Sequence, residues 1–281
     1  MQVGKFNTFE VVSIGNGSIH LIADDQQTVE VPISAADTAA IESVSAGQTL
    51  SLFVRTDELG KPLITFGTPH ITLGKTALLK VVATRDTGSW LDWGLEGDLF
   101  MPRSECRFTV KPGDSILVYL YRDSKTDRLV ATTRLHRHLA EAAADLRPDQ
   151  AVELVIASQT EMGYKAVVDQ RYLGLLYADE VFRPLAVGDI VPGFIKSIRL
   201  DGKIDLTLQA RPTDLRDELS QKIMQHLKES GGRSELTDKS APEAIYQHYQ
   251  VSKKNYKKAL GALYRQRLIR VSDTEITLIS D

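Results

Sequence analysis

The chain has 281 residues and a mass of 31.1 kDa, a length that favours several small domains over one large core. Hydrophobic residues make up 42% and charged residues 25%, which excludes a disordered chain, and the net charge of −3 excludes a surface that is basic throughout. The single cysteine, Cys106, excludes an internal disulfide and a thiolate metal cluster. Because neither a signal peptide nor an apolar run of about 20 residues is present, we expect a cytoplasmic protein without membrane contact.

Short stretches of alternating hydrophobic and polar residues, separated by turn residues, begin the chain. After Gly47, the side chains of Leu50, Leu52 and Val54 fall on one face of a predicted strand, and a turn over 57–61 leads into another strand. This segment is the first and weakest of three similar segments.

An internal repeat organises the next part of the sequence. Residues 79–133 match residues 154–208 without a gap at an offset of 75, and the segment after Gly47 matches the first of these at an offset of 66. The matched pairs are Gly88 with Gly163, Glu105 with Glu180, Gly113-Asp114 with Gly188-Asp189, and Leu129 with Ile204. Since each copy has the period-two alternation of strands, the repeat predicts three consecutive small β-barrels.

The segment between the second and third copies has a different pattern. Leu135 and Leu139 are spaced as on a helix, and Pro148 would end it. We therefore predict a helix over 134–146 that bridges the second and third barrels.

The hydrophobic period changes from two to 3.6 residues after Pro212. The side chains of Leu215, Leu219, Ile223 and Leu227 line one face of a predicted helix. The first predicted helix starts after Thr213 and ends at Gly231, and the second covers 243–249. Ser252 is the predicted cap of a third helix, from 253 to about 268. Two strands, over 269–271 and 275–279, complete the region. Three helices and a hairpin are typical of a winged-helix domain.

Specific motifs in the barrels and the C-terminal region resemble a known family. They are Gly88–Trp93, Leu99–Pro102, Gly174–Tyr177, Asp201–Leu206, Asp238–Ile245 and Ser252–Tyr264. The barrel motifs resemble the S1-type RNA-binding OB domain, and together with the C-terminal motifs they identify the chain as a member of the bacterial conserved virulence factor B family. The resemblance implies RNA binding by a cytosolic regulator of gene expression with no known catalytic activity.

The predicted fold class is mainly β with a C-terminal α+β domain: three tandem S1-like OB-fold barrels followed by a winged-helix domain. The predicted domains are 1–68 for a degenerate first barrel, 69–146 for the second barrel with its bridging helix, 147–212 for the third barrel and 213–281 for the winged helix. The first barrel lacks the aromatic and basic patterns of the others, so we interpret it as a spacer or a protein-contact module.

Aromatic side chains are the predicted stacking surfaces for bases. Because alternate residues of a strand face opposite ways, Trp90 and Trp93 are expected on opposite faces, with Trp90 towards the ligand and Trp93 inward. Phe100 and Tyr177 are the further candidates, with packing at the barrel rim as the alternative role.

The third barrel departs from the S1-type pattern at the position of the first tryptophan. Lys165 stands where Trp90 stands in the second copy. Lys196, Arg199 and Lys203 supply further cations, and we predict that these four side chains contact phosphates. Charges that serve only solubility are the alternative interpretation.

The last predicted helix has a cationic face. Between Lys253 and Arg270 there are seven basic residues and no acidic one. At about 100° per residue, Lys254, Lys257, Lys258 and Arg265 lie opposite Tyr256, Leu260, Leu263 and Tyr264, with Gly261 among the cations. Because this is the recognition-helix position of a winged helix, we predict nucleic-acid contact there, with DNA or RNA as the ligand.

The sequence contains no Walker A loop, no dinucleotide-binding glycine motif and no zinc-binding HExxH motif, so we expect no enzyme activity, no cofactor and no metal. The leading hypothesis is a protein that binds single-stranded RNA through several weak sites in series. The alternative is an adaptor that binds proteins of transcription or RNA decay and contacts DNA or RNA through the winged helix alone. A hydrolytic nuclease would need an acidic metal cluster that the sequence does not show.

Overall fold

A computed structural model describes the chain except for Asn16, 24–26, 34–40, 143–144, Phe182, 210–211 and 280–281, and except for the side chains of residues 212–218. The chain divides into two compact units, Met1–Leu139 and Ala140–Asp281. The four-domain division predicted above stays a prediction.

The first unit begins with a five-stranded antiparallel sheet. Its strands are β1 (Phe6–Gly15), β2 (Ser18–Ala23), β3 (Thr28–Pro32), β4 (Thr49–Thr56) and β5 (Pro62–Thr65). They pair in the order β3-β2-β1-β4-β5. The predicted strands after Gly47 and after the turn at 57–61 are therefore confirmed as β4 and β5.

The second sheet has the same order of pairing, β10-β9-β6-β7-β8. Its strands are β6 (Thr76–Arg85), β7 (Gly88–Asp92), β8 (Leu99–Pro102), β9 (Ser115–Arg122) and β10 (Leu129–Thr132). The edge strands β8 and β10 lie side by side, so the sheet curls into a barrel.

The two sheets of the first unit share one continuous hydrophobic core. Phe53 of β4 meets Trp93 edge to face, with 6.0 Å between the ring centroids. The backbone amide of Leu129 in β10 donates to the Thr56 hydroxyl at 3.1 Å. The first barrel is therefore packed tightly against the second.

The second unit begins with a closed barrel around its own core. Its strands are β11 (Ala151–Thr160), β12 (Gly163–Val168), β13 (Tyr172–Tyr177), β14 (Ile190–Ile198) and β15 (Ile204–Thr207). The strands pair in the order β11-β12-β13-β15-β14, and β13 and β15 are parallel.

Backbone geometry confirms the internal repeat. The first strand is bulged between Val81 and Ala83 in the second barrel and between Ile156 and Ser158, 75 residues later, in the third. In all three barrels a turn glycine donates its amide to the carbonyl of the first strand at this bulge. These bonds are Gly47 to Val11 (2.7 Å), Gly113 to Val81 (2.8 Å) and Gly188 to Ile156 (2.8 Å).

The helix predicted over 134–146 is wrong. In the described part of this segment the chain forms one short 3-10 turn, Leu135–Arg137. Ala140 then pairs with β13, because its amide donates to the Arg171 carbonyl at 3.0 Å and its carbonyl accepts from the Leu173 amide at 2.9 Å. Backbone groups that pair with a strand are not available for helical hydrogen bonds.

The C-terminal region forms the predicted winged-helix order. Its elements are α1 (Pro212–Glu229), β16 (Arg233–Ser234), α2 (Pro242–Tyr249), α3 (Lys253–Arg265), β17 (Ile269–Val271) and β18 (Ile276–Leu278). The Ser252 hydroxyl caps α3 by accepting from the Asn255 amide at 3.2 Å, as predicted. Leu219, Ile223 and Leu227 of α1 are buried, whereas the side chain of Leu215 lies outside the described residues.

The structure corrects two details of this region. The strand β16, which was not predicted, pairs with β18 and completes a three-stranded sheet. The helix α3 ends at Arg265 because Arg267 adopts a positive φ of 60° and the Leu268 amide returns to the Leu263 carbonyl at 3.1 Å. The predicted fold class, S1-like barrels followed by a winged helix, is confirmed.

Candidate nucleic-acid interface

Two aromatic rings face each other across the β7–β8 ladder of the second barrel. Trp90 pairs with Phe100 in register, and their ring centroids are 5.3 Å apart at an interplanar angle of 47°. Both side chains are half-buried, so part of each ring remains accessible. We call this pair the aromatic platform.

Two arginines flank the aromatic platform. The guanidinium of Arg85 lies over the Trp90 ring at 5.3 Å, and that of Arg128 lies over the Phe100 ring at 5.9 Å. Within the described residues neither arginine forms an ion pair with a carboxylate. Sequence reasoning missed both, although Arg85 is identifiable as the last residue of the strand that pairs with the strand of Trp90.

The first barrel borders one side of the aromatic platform. A cleft of about 210 Å³ is lined by both platform rings, by Arg128 and by residues of the first barrel such as Arg55 and Glu58. The first barrel therefore contributes side chains to the surroundings of the platform, whereas its interpretation as a spacer or a protein-contact module stays a prediction.

Trp93 has the inward orientation that strand alternation predicts. Only 4% of its surface is exposed, and its indole N–H donates to the Gly97 carbonyl at 2.7 Å. The other side of the strand therefore carries the accessible tryptophan, Trp90.

Three of the predicted residues of the third barrel lie together. The Lys196 ammonium and the Arg199 guanidinium lie 5.8 and 5.9 Å from the ring centroid of Tyr177, and Arg199 also donates to the Tyr177 hydroxyl. Both cations are paired with carboxylates: Lys196 with Glu180 at 2.6 Å and Arg199 with Asp205 at 2.6 Å. Their positive charge is therefore largely balanced within the barrel.

The pKa values of these pairs agree with the geometry. Burial alone would raise the pKa of Asp205, but hydrogen bonds from Arg199 and Ser197 outweigh it and lower the pKa below its ordinary value. The hydrogen bond to Glu180 raises the pKa of Lys196. Both groups are therefore charged at neutral pH.

The remaining two predicted cations of the third barrel lie apart from this cluster. Lys203 pairs with Asp201 at 3.3 Å in the β14–β15 turn. Lys165 is exposed on β12 opposite Leu175, and the described residues include no ion-pair partner for it.

The cationic face of α3 is exposed. Among the residues that the structure describes, Lys254, Lys258 and Arg265 have no carboxylate partner, whereas Lys257 pairs with Asp238 at 3.5 Å. Three of the four predicted cations therefore remain available to a ligand.

The buried face of α3 differs from the prediction at one residue. Tyr256, Leu260 and Leu263 are buried as expected, but Tyr264 is 59% exposed. Tyr264 lies seven positions, or about two helical turns, after Lys257. Its side chain therefore points to the same side of α3 as Lys257, at the edge of the cationic face. A Cβ atom added to Gly261 would meet nothing within 4 Å, so the protein itself does not require a glycine there.

The described part of the chain offers neither a metal site nor a membrane-spanning helix. It contains no group of three or more His, Cys, Asp or Glu side chains that could hold a metal. His138 instead stacks on Tyr119, with ring centroids 4.8 Å apart, and burial lowers its pKa. No described helix combines the length and apolar character needed to cross a membrane.

Comparisons with known proteins show similarity over the same regions. Residues 73–134 match the S1 domain family, and residues 221–278 match the CvfB-like winged helix domain family. Conserved virulence factor B of Staphylococcus epidermidis ATCC 12228 is 25% identical, and that of Staphylococcus aureus bovine RF122 is 24% identical, each over 98% of this chain and 94% of the relative. A multidomain Streptococcus pneumoniae TIGR4 protein with nucleic acid binding domains is 21% identical over 99% of this chain and 98% of its own, with a TM-score of 0.40.

Proposed function

We propose that the chain is a member of the conserved virulence factor B family and a non-catalytic protein that binds single-stranded RNA and regulates gene expression in the bacterial cytoplasm. S1 and winged-helix domains are nucleic-acid-binding domains, which supports the general part of the proposal. The observation that carries the RNA-level part is the aromatic platform with its two arginines.

The aromatic platform has the chemistry that a single strand requires. Stacking of a base on an aromatic ring contributes about 1–3 kcal/mol and tolerates any base. Arginines beside the rings can stack on further bases or bind phosphates, because a guanidinium is planar and carries several donors. Trp90, Phe100, Arg85 and Arg128 together offer both contacts at one place.

The other predicted sites then act as weaker, additional contacts. The exposed cations of α3 can bind phosphates, as can Lys165 of the third barrel. Sites that are linked in one chain raise the overall affinity without any single strong contact. In this proposal the second barrel is the main site, since Lys196 and Arg199 of the third barrel are already paired with carboxylates.

Tryptophan fluorescence tests the proposal directly, because the chain has only two tryptophans. In a Trp93→Phe variant all tryptophan emission comes from Trp90, and we expect single-stranded RNA to quench it on binding. The matched control is Trp90→Phe, in which the buried Trp93 should respond little. Quenching that survives in Trp90→Phe but disappears in Trp93→Phe would contradict the assignment of the platform.

A protein-binding adaptor is the second candidate function. It is favoured by the contrast between the unpaired cations Lys254, Lys258 and Arg265 of α3 and the paired cations of the third barrel. In that case the winged helix alone would bind DNA or RNA. A full-length protein that binds nucleic acid with no change in Trp90 fluorescence, and that loses binding when those three cations are removed, would favour the adaptor.

A further inference from the structure

A second concave surface of the second barrel is lined by arginines. The cleft has a volume of about 310 Å³, and Arg85, Arg103 and Arg107 lie in its wall together with Phe108, Gly88 and Cys106. Among the described residues, no acidic side chain lines it. We call it the arginine cleft.

Hydrogen bonds of the backbone bring these arginines together. Arg103 follows β8, and its amide donates to the Thr87 carbonyl in the β6–β7 turn at 3.0 Å. The amide of Arg107 donates to the Thr133 hydroxyl at 2.9 Å. The first bond holds Arg103 beside the turn that follows Arg85, and the second anchors Arg107 to the segment after β10. The three arginine side chains remain exposed.

The charges of the arginine cleft are uncompensated. Within the described residues, Arg85, Arg103 and Arg107 form no ion pair. Other arginines of the same barrel do: Arg122 pairs with Asp127 at 3.3 Å and Arg137 with Glu105 at 3.0 Å. Three exposed guanidinium groups around a concave surface favour a phosphate, whose oxygens match their donors.

The arginine cleft adjoins the aromatic platform. Arg85 lines the cleft and also lies over the Trp90 ring. Gly88, in the wall of the cleft, lies against the ring of Phe100, since a Cβ atom on Gly88 would be 2.8 Å from the Phe100 Cε2 atom. A strand with a base on the platform would thus place its neighbouring backbone at the cleft.

We propose that the arginine cleft binds a phosphate group of the same RNA strand whose base stacks on Trp90 and Phe100. The inference rests on the proposed RNA binding and adds to it a specific phosphate site. Phe108, which is 55% exposed at the rim, gives the strand an apolar surface next to that phosphate. Arg85 links the two contacts, because it belongs to both surfaces.

The test uses the full-length double variant Arg103→Gln/Arg107→Gln and leaves the platform intact. Binding of a fluorescent single-stranded RNA is measured by anisotropy at several salt concentrations. Loss of the one phosphate that Arg103 and Arg107 would share should reduce the slope of log affinity against log salt by about 0.7. Quenching of Trp90 at saturation should persist.

The matched control is Arg122→Gln/Arg171→Gln, which changes the net charge equally but removes arginines that are paired with Asp127 and Asp145. Its slope should equal that of the wild type. Two results would overturn the phosphate site if RNA still quenches Trp90: a slope that is unchanged in the cleft variant, or a slope that is lowered equally in the control. Either result would leave RNA binding itself intact. Failure of the wild type to bind RNA would overturn the proposed function itself and the phosphate site with it.

The only cysteine of the chain provides a second measurement at the same place. Cys106 lines the arginine cleft, so RNA in the cleft should slow its alkylation by the neutral reagent N-ethylmaleimide. The protection should be lost in Arg103→Gln/Arg107→Gln at RNA concentrations that still quench Trp90. An alkylation rate that RNA does not change, while Trp90 is quenched, would contradict occupancy of the cleft.

Discussion

The second and third barrels share their strand order and the bulge in their first strand but have different outer surfaces. At positions that correspond at the offset of 75 residues, the facing pair Trp90–Phe100 of the second barrel becomes Lys165–Leu175 in the third. The aromatic platform is thus absent from the third barrel even though the ladder that would hold it is present.

The ion pairs of the two barrels differ as well, and they also favour a binding site on the second barrel. The arginines around the platform of the second barrel have no carboxylate partner among the described residues, whereas Lys196 and Arg199 of the third barrel pair with Glu180 and Asp205. The sequence pattern singles out four cations of the third barrel as phosphate contacts, but cations that are paired with carboxylates contribute little to phosphate binding. The local ion pairs, rather than the number of basic residues, are the reason for proposing the second barrel as the main RNA site.

The buried framework explains why the two folds remain alike. The Glu105 carboxylate accepts a hydrogen bond from the Thr132 hydroxyl at 2.7 Å, and 75 residues later Glu180 accepts from Thr207 at 2.7 Å. Such partly buried polar groups need their partners, so changing one is costly. Positions on the outer face lack this constraint, and the two barrels differ there.

The largest effect is expected at a glycine that both barrels require. A Cβ atom at Gly88 or Gly163 would lie 2.2 Å from the carbonyl oxygen of the facing strand, at Met101 or Leu176. Since backbone cannot move aside easily, Gly88→Ala and Gly163→Ala should each lower the free energy of unfolding by on the order of 3 kcal/mol. Urea denaturation followed by circular dichroism measures both.

The control for this prediction is Gly261→Ala on α3, where nothing lies within 4 Å of the added Cβ. Alanine should stabilise that helix by about 1 kcal/mol. If Gly88→Ala or Gly163→Ala were as well tolerated as Gly261→Ala, the shared framework of the two barrels would be refuted.

The next largest effect is expected on RNA affinity, and it should differ between equivalent positions on the outer surfaces of the two barrels. Trp90→Ala removes a stacking contact and should weaken RNA binding by about 1–3 kcal/mol, and the loss should persist at high salt because stacking is not screened. Lys165→Ala, at the equivalent position, should have a smaller effect that fades as salt increases. Titrations at low and high salt distinguish them. Equal losses for the two variants at high salt would contradict the comparison.

A variant of the winged helix tests whether the barrels or α3 make most of the phosphate contacts. The triple variant Lys254→Gln/Lys258→Gln/Arg265→Gln removes the unpaired cations of α3. At about 0.7 per contact on a single strand, the slope of log affinity against log salt should fall by about 2. Lys257→Gln, which removes a cation already paired with Asp238, is the control and should change the slope less. An unchanged slope in a folded triple variant would assign the salt dependence to the barrels.

The smallest effect is a gain of function. Lys165→Trp/Leu175→Phe recreates the facing aromatic pair on the third barrel, on strands whose register already matches that of the second. We expect RNA affinity to increase by about 1 kcal/mol, or roughly fivefold, because the new pair lacks the neighbouring unpaired arginines. The measurement is anisotropy in a Trp90→Ala background. No gain in a folded variant would indicate that an aromatic pair alone is not a binding site.

Local patterns in the sequence determined the fold class of this protein. Hydrophobic alternation and turn glycines recur within each copy, so the repeat at 75 residues was visible without a structure. The three helices and hairpin of the winged-helix region were predicted because a period of 3.6 residues, the Ser252 cap and Pro242 are also local signals. Strand alternation likewise placed Trp93 inward.

Tertiary structure alone decided which of the candidate side chains are neighbours. Strand pairing brings Glu180 to Lys196 and places Arg128 over the ring of Phe100. It also draws the chain at Ala140 into β13 instead of a helix. These contacts join residues that are far apart in sequence, and the local sequence pattern around each residue does not predict its partner. Sequence therefore identified the aromatic residues and the cations of the third barrel and of α3. It missed the arginines beside the platform, and only the folded chain shows which charges are paired with carboxylates and which are not.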